Sequence, residues 1–278
     1  MKKVLLASTA LVMSAGFAAA DVSVGGDGRM GIIVDEGADA AFTSRIRISF
    51  SASGETDLGL AFGGSIRADN SGGGAAGTAG SVFVEGSFGK ISMGDVDGAA
   101  RAAVGHVSGV GLTGLGDLNE STYIANGNDD PTALYEYSSG DLTFYASAGQ
   151  PTDASQEYAI GVSYSFGDIT VALGYEDADI AEEHIILGVT AAFGDATVKA
   201  VYGDAGSLGD QMALSLDYVA GATTITAFYA DDEDLGGVEA YGLGVAYDLG
   251  GGASLKAGYA SNETADVDGY DFGISMSF

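Results

Sequence analysis

A two-residue alternation of apolar and polar side chains runs through the chain from residue 22 onward. Ile160, Val162, Tyr164 and Phe166 alternate with small or polar residues, and residues 241–249 repeat the pattern. Successive side chains of a β-strand point to opposite faces, so this alternation predicts strands with one apolar and one polar face. The chain contains sixteen such runs, with fourteen as the alternative count. The predicted strands are residues 22–35, 42–53, 58–69, 80–88, 91–97, 131–140, 142–150, 157–167, 169–177, 183–194, 197–204, 210–221, 223–231, 238–249, 253–261 and 269–278.

The links between these strands differ in length in a regular way. Short glycine turns, such as residues 166–168 and 193–195, are followed by longer polar links, such as residues 176–183 and 203–210. Glycine supplies the positive φ that tight hairpins need. Short links at one end and long links at the other are typical of a bacterial outer-membrane β-barrel. In a soluble sandwich of two sheets, the same apolar faces would instead form a dry core.

Aromatic residues favour the barrel over the sandwich. Phenylalanines precede several short turns, and tyrosines fall near the opposite strand ends. They are Phe88, Phe166 and Phe193 at the first end, and Tyr175, Tyr202, Tyr229 and Tyr259 at the second. This spacing predicts two aromatic girdles separated by the thickness of a membrane. No break in pattern divides residues 21–278, so we expect a single all-β domain.

The first twenty residues have the features of a secretory signal peptide. Lys2 and Lys3 precede a short apolar run, which ends at the small residues 18–20. We expect cleavage after Ala20. The alternative, a retained anchor helix, is disfavoured because the apolar run is too short to span a bilayer.

The overall charge excludes one class of partner. The chain has 10 Lys and Arg against 39 Asp and Glu, and removal of Lys2 and Lys3 leaves 8 − 39 = −31. Nucleic acid binding needs a basic face, so no nucleic acid is expected. The chain has no cysteine, only two histidines, His106 and His184, and no nucleophile–base arrangement that would indicate an enzyme.

Residues 98–130 form the longest segment without clean alternation. Strand-like runs, residues 91–95 and 132–137, flank this segment. A long irregular link is uncommon in a compact domain and is usually functional. We predict that it is the third long external loop, that it folds into the lumen, and that it narrows the passage.

Arginines predict one side of a constriction. Arg29, Arg45, Arg47 and Arg67 all fall on the polar phase of three consecutive strands. Alternation points them to the same side of the wall, and adjacent strands lie about 4.8 Å apart. We interpret them as a basic patch facing the lumen. The alternative is that they are unrelated arginines, each paired locally with a wall carboxylate.

Carboxylates of the long link predict the opposite side. Asp95 and Asp97 lie at its root, and Asp117 and Glu120 lie within it. Acids facing bases across a narrow lumen produce a transverse field that low-dielectric walls focus. The alternative is that these acids solvate an external loop, which is our interpretation of residues 129–130. The strongly negative charge predicts a preference for cations.

Acidic clusters in the long links suggest a cation site at the rim. One cluster comprises Asp231, Asp232, Glu233 and Asp234, and residues 176–179 form another. Carboxylate oxygens are the ligands that hard cations prefer, so these clusters could hold Ca²⁺ or bridge through divalent ions to lipopolysaccharide phosphates. The alternative is a solvated acidic rim. No other cofactor is indicated.

Two motifs resemble a known family. Residues 270–278 form a final amphipathic strand that ends in Phe278, which looks like the assembly signal of outer-membrane proteins. Residues 88–97, which lead into the long link, are similar to the same region of Gram-negative general porins of the alphaproteobacterial, Rhodobacter-like type. The chain departs from that family in its short loops and its lack of Trp.

The resemblance implies a homotrimer of sixteen-stranded barrels in the outer membrane, in contact with its lipid. It also implies passive diffusion of ions and small hydrophilic solutes, with the third external loop constricting each pore. The alternative function, from another class, is a secreted or surface-attached acidic all-β protein that binds calcium through its loops.

Overall fold

The described strands close into a single antiparallel barrel. The computed structural model describes residues 21–71, 74–125, 132–150, 156–178, 183–232 and 235–278, so the predicted signal peptide lies outside the described residues. Neighbouring strand positions of the wall pair with each other, and the first strand pairs with the last over Asp27–Asp35. The sheet therefore has no free edge, as the even strand count predicted.

The wall contains sixteen strand positions within the described residues. The strands are β1 (Asp21–Asp35), β2 (Ala41–Glu55), β3 (Ala61–Ser71), β4 (Gly74–Gly77), β5 (Ser81–Gly86), β6 (Gly89–Gly94), β7 (Thr132–Ser139), β8 (Leu142–Ala148), β9 (Glu157–Phe166), β10 (Ile169–Ala178), β11 (His184–Phe193), β12 (Ala196–Asp204), β13 (Asp210–Ala220), β14 (Thr223–Asp231), β15 (Glu239–Gly250), β16 (Ala253–Asn262) and β17 (Val267–Ser277). Both β4 and β5 pair with β3, so these two segments share one position. Each predicted strand coincides with an observed one, and their ends differ by three residues at most.

The apolar phase of the alternation faces outward. Ile160, Leu173 and Leu243 are 60%, 45% and 56% exposed, whereas a sandwich would have buried them. Phe88, at a short turn, and Tyr202, near the other strand ends, are also exposed. An outward apolar band of this kind suits hydrocarbon, where every backbone polar group must be paired within the sheet. Among the described residues, no helix is both long and apolar enough to cross a membrane.

The long link after β6 turns into the lumen, as predicted, but it is not wholly irregular. It contains a short helix, α1 (Ala99–Val104), which packs against β8, β9, β10 and β11. Alanine has the highest helix propensity, and four of the six helical residues are alanine. The alanine content of this segment was the signal for the helix, and the strand-based interpretation missed it.

The inward face of the wall is not uniformly polar, although the alternation predicts a polar face on that side. Where the link lies against the wall, aliphatic side chains from both sides form a dry core. This core includes Ala99, Ala100, Val104, Val107, Val110 and Leu115 of the link, with Ala159, Ala172, Ile186, Val201, Ala213, Ala240 and Ala260 of the wall. The hydrophobic effect therefore holds the link inside the barrel, because these side chains leave water only when it is docked.

Candidate pore constriction

Glycines on the inward face make room for helix α1. A Cβ added at Gly161 would lie 2.5 Å from the carbonyl oxygen of Ala99, and one at Gly174 would lie 2.6 Å from the Cβ of Ala100. A Cβ at Gly188 would approach Val104 to 2.9 Å. Larger side chains at these three positions would displace the helix. Three neighbouring strands thus form a shallow seat for α1.

A second glycine seat receives the turn at residues 110–113, which we call the constriction turn. A Cβ at Gly258 would overlap the backbone of Gly111. At Gly31 and Gly273 an added Cβ would lie 2.5 Å and 2.6 Å from a methyl carbon of Leu112. This seat lies on β1, β16 and β17, where the barrel closes. Together the two seats set how far the link projects into the lumen.

Opposite charges on the wall clamp the constriction turn. The carboxylate of Asp271 is buried and accepts hydrogen bonds from the backbone N–H groups of Leu112 at 2.9 Å and Thr113 at 2.6 Å, and from the Thr113 hydroxyl at 2.7 Å. The guanidinium of Arg29 donates to the carbonyl oxygens of the same two residues, at 3.4 Å and 3.0 Å. One peptide segment is therefore held through both its donors and its acceptors, which fixes its position and direction.

The far end of the link is anchored by a buried polar cluster. Glu176 accepts hydrogen bonds from the N–H groups of Ile124 at 2.5 Å and Ala125 at 2.7 Å. The amide of Gln211 accepts from the N–H of Thr122 at 2.9 Å and donates to its carbonyl oxygen at 2.8 Å. Glu176 is fully buried, so it is not part of a solvated acidic rim.

The predicted calcium rim is only partly described. Asp231 is the last residue of β14, while Glu233 and Asp234 lie outside the described residues. Asp232 is buried and accepts from the Thr122 hydroxyl at 2.8 Å and the Val238 N–H at 2.6 Å. Within the described ranges, no three His, Asp or Glu residues come together as a metal site. Asp232 thus anchors the link rather than extending into solvent.

The predicted arginines are paired with wall carboxylates. Arg45 lies 3.4 Å from Asp27, and Arg47 lies 3.1 Å from Asp69. Arg67 binds the same Asp69 through two nitrogens, at 2.6 Å and 2.9 Å. Each of these three side chains therefore has a carboxylate partner on the wall.

The arginines are also neighbours, so the two interpretations do not exclude each other. Arg29 is directly opposite Arg45 in the pairing of β1 with β2, and Arg67 faces Ser49 between β2 and β3. All four side chains point inward and are partly exposed. They form one basic area on β1, β2 and β3, and Arg29 additionally clamps the constriction turn.

The predicted acids of the link are exposed on its lumen side. Asp95 and Asp97 line the cavity between the root of the link and β2 to β7, while Asp117 and Glu120 follow the constriction turn. Asp97 also pairs with Arg101 of helix α1 at 3.2 Å, so the acidic side carries a cation that the prediction omitted.

Electrostatic interactions connect the acidic and basic sides. Asp117 interacts with Arg29, and Asp95 interacts with Arg67. Among the groups that act on each arginine, these acids contribute least. The opposition of charges across the lumen stays a prediction.

His106 is a neutral part of the link. Its Nδ1 accepts from the N–H of Ser121 at 2.9 Å, and its Nε2 lies 4.0 Å from Glu120. Burial, reinforced by the charges of Arg101 and Lys199, lowers the pKa of His106 to about 4. The nearby carboxylate acts in the opposite direction, but it is half exposed, so burial and the two cations dominate. The imidazole is therefore uncharged at pH 7.

Sequence reasoning missed the residues that hold the link in place. They are Asp271, Glu176 and Gln211, together with Lys199, whose ammonium donates to the carbonyl oxygen of Val104 at 2.6 Å. Each lies on the inward phase of its strand, on β10, β12, β13 or β17. The alternation in the sequence shows that these side chains face inward. It does not show the path of the link, and the link supplies the partner of each residue.

Comparison with known proteins identifies the family. A family model described as Gram-negative porin matches residues 7–266. A porin of Rhodobacter capsulatus is 40% identical over 156 residues, which cover 51% of this chain and 52% of that protein, so the match spans about half of that relative's length. The comparisons give the calcium-binding alternative no support.

Solved porin structures match over nearly the whole chain. A porin structure refined at 1.8 Å is 36% identical, covers 92% of this chain and 100% of its own, and has a TM-score of 0.79. A triple mutant of the Rhodopseudomonas blastica porin, with the same coverage, is 26% identical and has a TM-score of 0.76. With its closed sixteen-position barrel and inward third loop, the chain belongs to the Gram-negative porin family and is an outer-membrane β-barrel protein.

Proposed function

We propose that the protein is a passive diffusion channel for ions and small hydrophilic solutes, with no catalytic step. The observation that carries this proposal is the link docked within the lumen of a closed barrel, with exposed carboxylates on the link and a group of arginines on the wall. A barrel of sixteen strands is wide enough to leave an aqueous passage. The link then sets its width, and the charges set which solutes enter.

We further propose that the channel prefers cations. Acidic residues greatly outnumber basic ones, and Asp27 and Asp69 neutralise much of the charge of the wall arginines. The four predicted acids of the link are exposed. A mobile cation therefore meets a net negative lumen, and low-dielectric walls strengthen that attraction.

Replacement of Arg45 and Arg47 by glutamine tests this assignment. The double variant leaves Asp27 without its partner and Asp69 with only Arg67, so the lumen becomes more negative. We expect the cation-to-anion permeability ratio, measured from reversal potentials in planar bilayers under a salt gradient, to rise roughly twofold to fivefold. Lys256→Gln removes one positive charge from the inward face of β16 and should cause a smaller change. An unaltered reversal potential in the double variant would exclude both arginines from the constriction.

We propose that the barrel associates into a homotrimer, as the family resemblance implies. Strands β6, β7 and β8 have 6, 8 and 7 residues, whereas a membrane-spanning strand needs about 9–11. Near this short side, an outward apolar groove of about 650 Å³ is lined by Val22, Phe50, Ile66, Val82 and Met93. A second copy would cover both features. Light scattering in mild detergent should give three times the chain mass, and a monomer mass would reject the trimer.

A further inference from the structure

We propose that the lumen contains a subsite for neutral polyols and monosaccharides on the short-turn side of the constriction. This proposal rests on the proposed channel function. The subsite, which we call the serine pocket, is a cavity of about 720 Å³, a volume typical of small-molecule sites. Its hydroxyl lining consists of Ser51, Ser53, Ser65, Ser81 and Ser92.

Three of these hydroxyls form a row across the wall. Ser51 is directly opposite Ser65 in the pairing of β2 with β3, and Ser65 is directly opposite Ser81 in the pairing of β3 with β5. All three side chains point inward, on strands about 4.8 Å apart. A hydroxyl can both donate and accept a hydrogen bond. This row can therefore bind several hydroxyls of one solute, each as a donor or as an acceptor.

The serines of the pocket differ from the inward serines that contact the link. None of the five forms a side-chain hydrogen bond within the described part of the chain, although Ser92 is only 6% exposed. By contrast, Ser147 accepts from the N–H of Ala99 at 2.8 Å, and Ser215 accepts from the N–H of Ser108 at 3.1 Å. Serines that touch the docked link hold it in place, whereas those of the pocket remain available to a solute.

The remaining groups of the pocket complement a sugar. Lys90 and Glu136 form an ion pair at 3.7 Å, with both groups partly exposed, and Asp95 faces them from the root of the link. The Lys90 ammonium also lies 5.1 Å from the centre of the Phe83 ring. Carboxylates accept from sugar hydroxyls, the ammonium donates to them, and the ring offers an apolar surface to C–H groups. Lys90 is paired with Glu136, and Asp95 and Asp97 give the lining an excess of acceptors, so the pocket suits a ligand rich in hydroxyl donors.

The position of the pocket gives it a role in passage. Along β2 the inward residues change from Arg45 and Arg47 to Ser49, Ser51 and Ser53 toward the short turn. A solute that leaves the charged constriction therefore meets a hydroxyl surface next. Brief binding there should make the flux of monosaccharides saturable, whereas the flux of other small solutes should rise in proportion to concentration.

Sugar-dependent block of ion current tests the subsite. In planar bilayers, glucose should reduce the single-channel potassium chloride current along a saturating curve, whereas a polyethylene glycol of similar mass should reduce it only in proportion to its concentration. In a Ser51→Ala, Ser65→Ala, Ser81→Ala triple variant, the half-blocking glucose concentration should rise at least about fivefold, the ratio that corresponds to one lost hydrogen bond. Its current without sugar should stay near the wild-type value. Ser254 and Ser275, opposite each other on β16 and β17, provide a control double alanine variant that should keep wild-type block.

The possible results separate the subsite from the channel. A current that falls equally with glucose and with the glycol, or a triple variant with wild-type half-block, would overturn the subsite and leave the channel function intact. Folded protein that gives no current steps would overturn both.

Discussion

Replacing Asp271 with alanine is expected to release the constriction turn and to widen the channel. The change removes the acceptor of two backbone N–H groups and one hydroxyl, all within a buried site. Hydrogen bonds to a charged group each contribute about 1.5–3 kcal/mol, so docking of the turn should weaken by roughly 3 kcal/mol or more. Arg29 would then hold Leu112 and Thr113 from one side only. Single-channel recording should show a larger mean conductance, stronger open-channel noise and passage of larger solutes.

Two further variants make this result interpretable. Asp271→Asn keeps the shape and one acceptor oxygen, so we expect an intermediate effect. Asp168→Ala removes an exposed hairpin carboxylate and should behave as wild type. If Asp271→Ala folds into a barrel with wild-type conductance and noise, the carboxylate does not position the turn.

Replacing Gly258 with alanine should prevent the constriction turn from seating. The added methyl would overlap the backbone of Gly111, and backbone cannot move away as a flexible side chain can. Overpacking of this kind typically destabilises a folded structure by about 1–3 kcal/mol. Here it would pull the side chains of the link out of the dry core that they form with the wall. We expect faster proteolytic cleavage within residues 98–125 and a lower denaturation midpoint, with the barrel strands retained in circular dichroism.

The matched control uses the same substitution elsewhere on the inward face. At Gly25 an added Cβ would meet only the Phe278 carbonyl oxygen, at an ordinary 3.6 Å. Gly25→Ala should therefore leave cleavage and stability unchanged. If the link resists proteolysis equally in both variants, Gly258 does not form part of the surface on which the constriction turn packs.

The wall was predictable because lipid and strand geometry impose one rule on every residue. A period of two places alternate side chains on opposite faces, and only apolar groups suit the outer one. Ile160, Leu173 and Leu243 therefore face outward as predicted, and the even number of strands follows from closure. Arg29, Arg45, Arg47 and Arg67 point inward for the same reason.

The seating of the link was not predictable from periodicity. Gly161, Gly174 and Gly188 appear in the sequence as small residues on the inward phase, and nothing local shows that a helix will pack on them. Their role depends on long-range contacts with α1. Likewise, Asp271 lies in a strand whose pattern indicates only that it faces inward. Its partners, Leu112 and Thr113, are about 160 residues away in the chain.

Conductance of the purified protein in planar bilayers, measured with polyethylene glycols of graded size, tests the channel most directly. We expect discrete, ohmic current steps that small polymers reduce and that polymers above a sharp size limit leave unchanged, because the docked link restricts the lumen. Properly folded barrels that produce no steps, or steps that the largest polymers still reduce, would contradict a water-filled passage narrowed by residues 95–125.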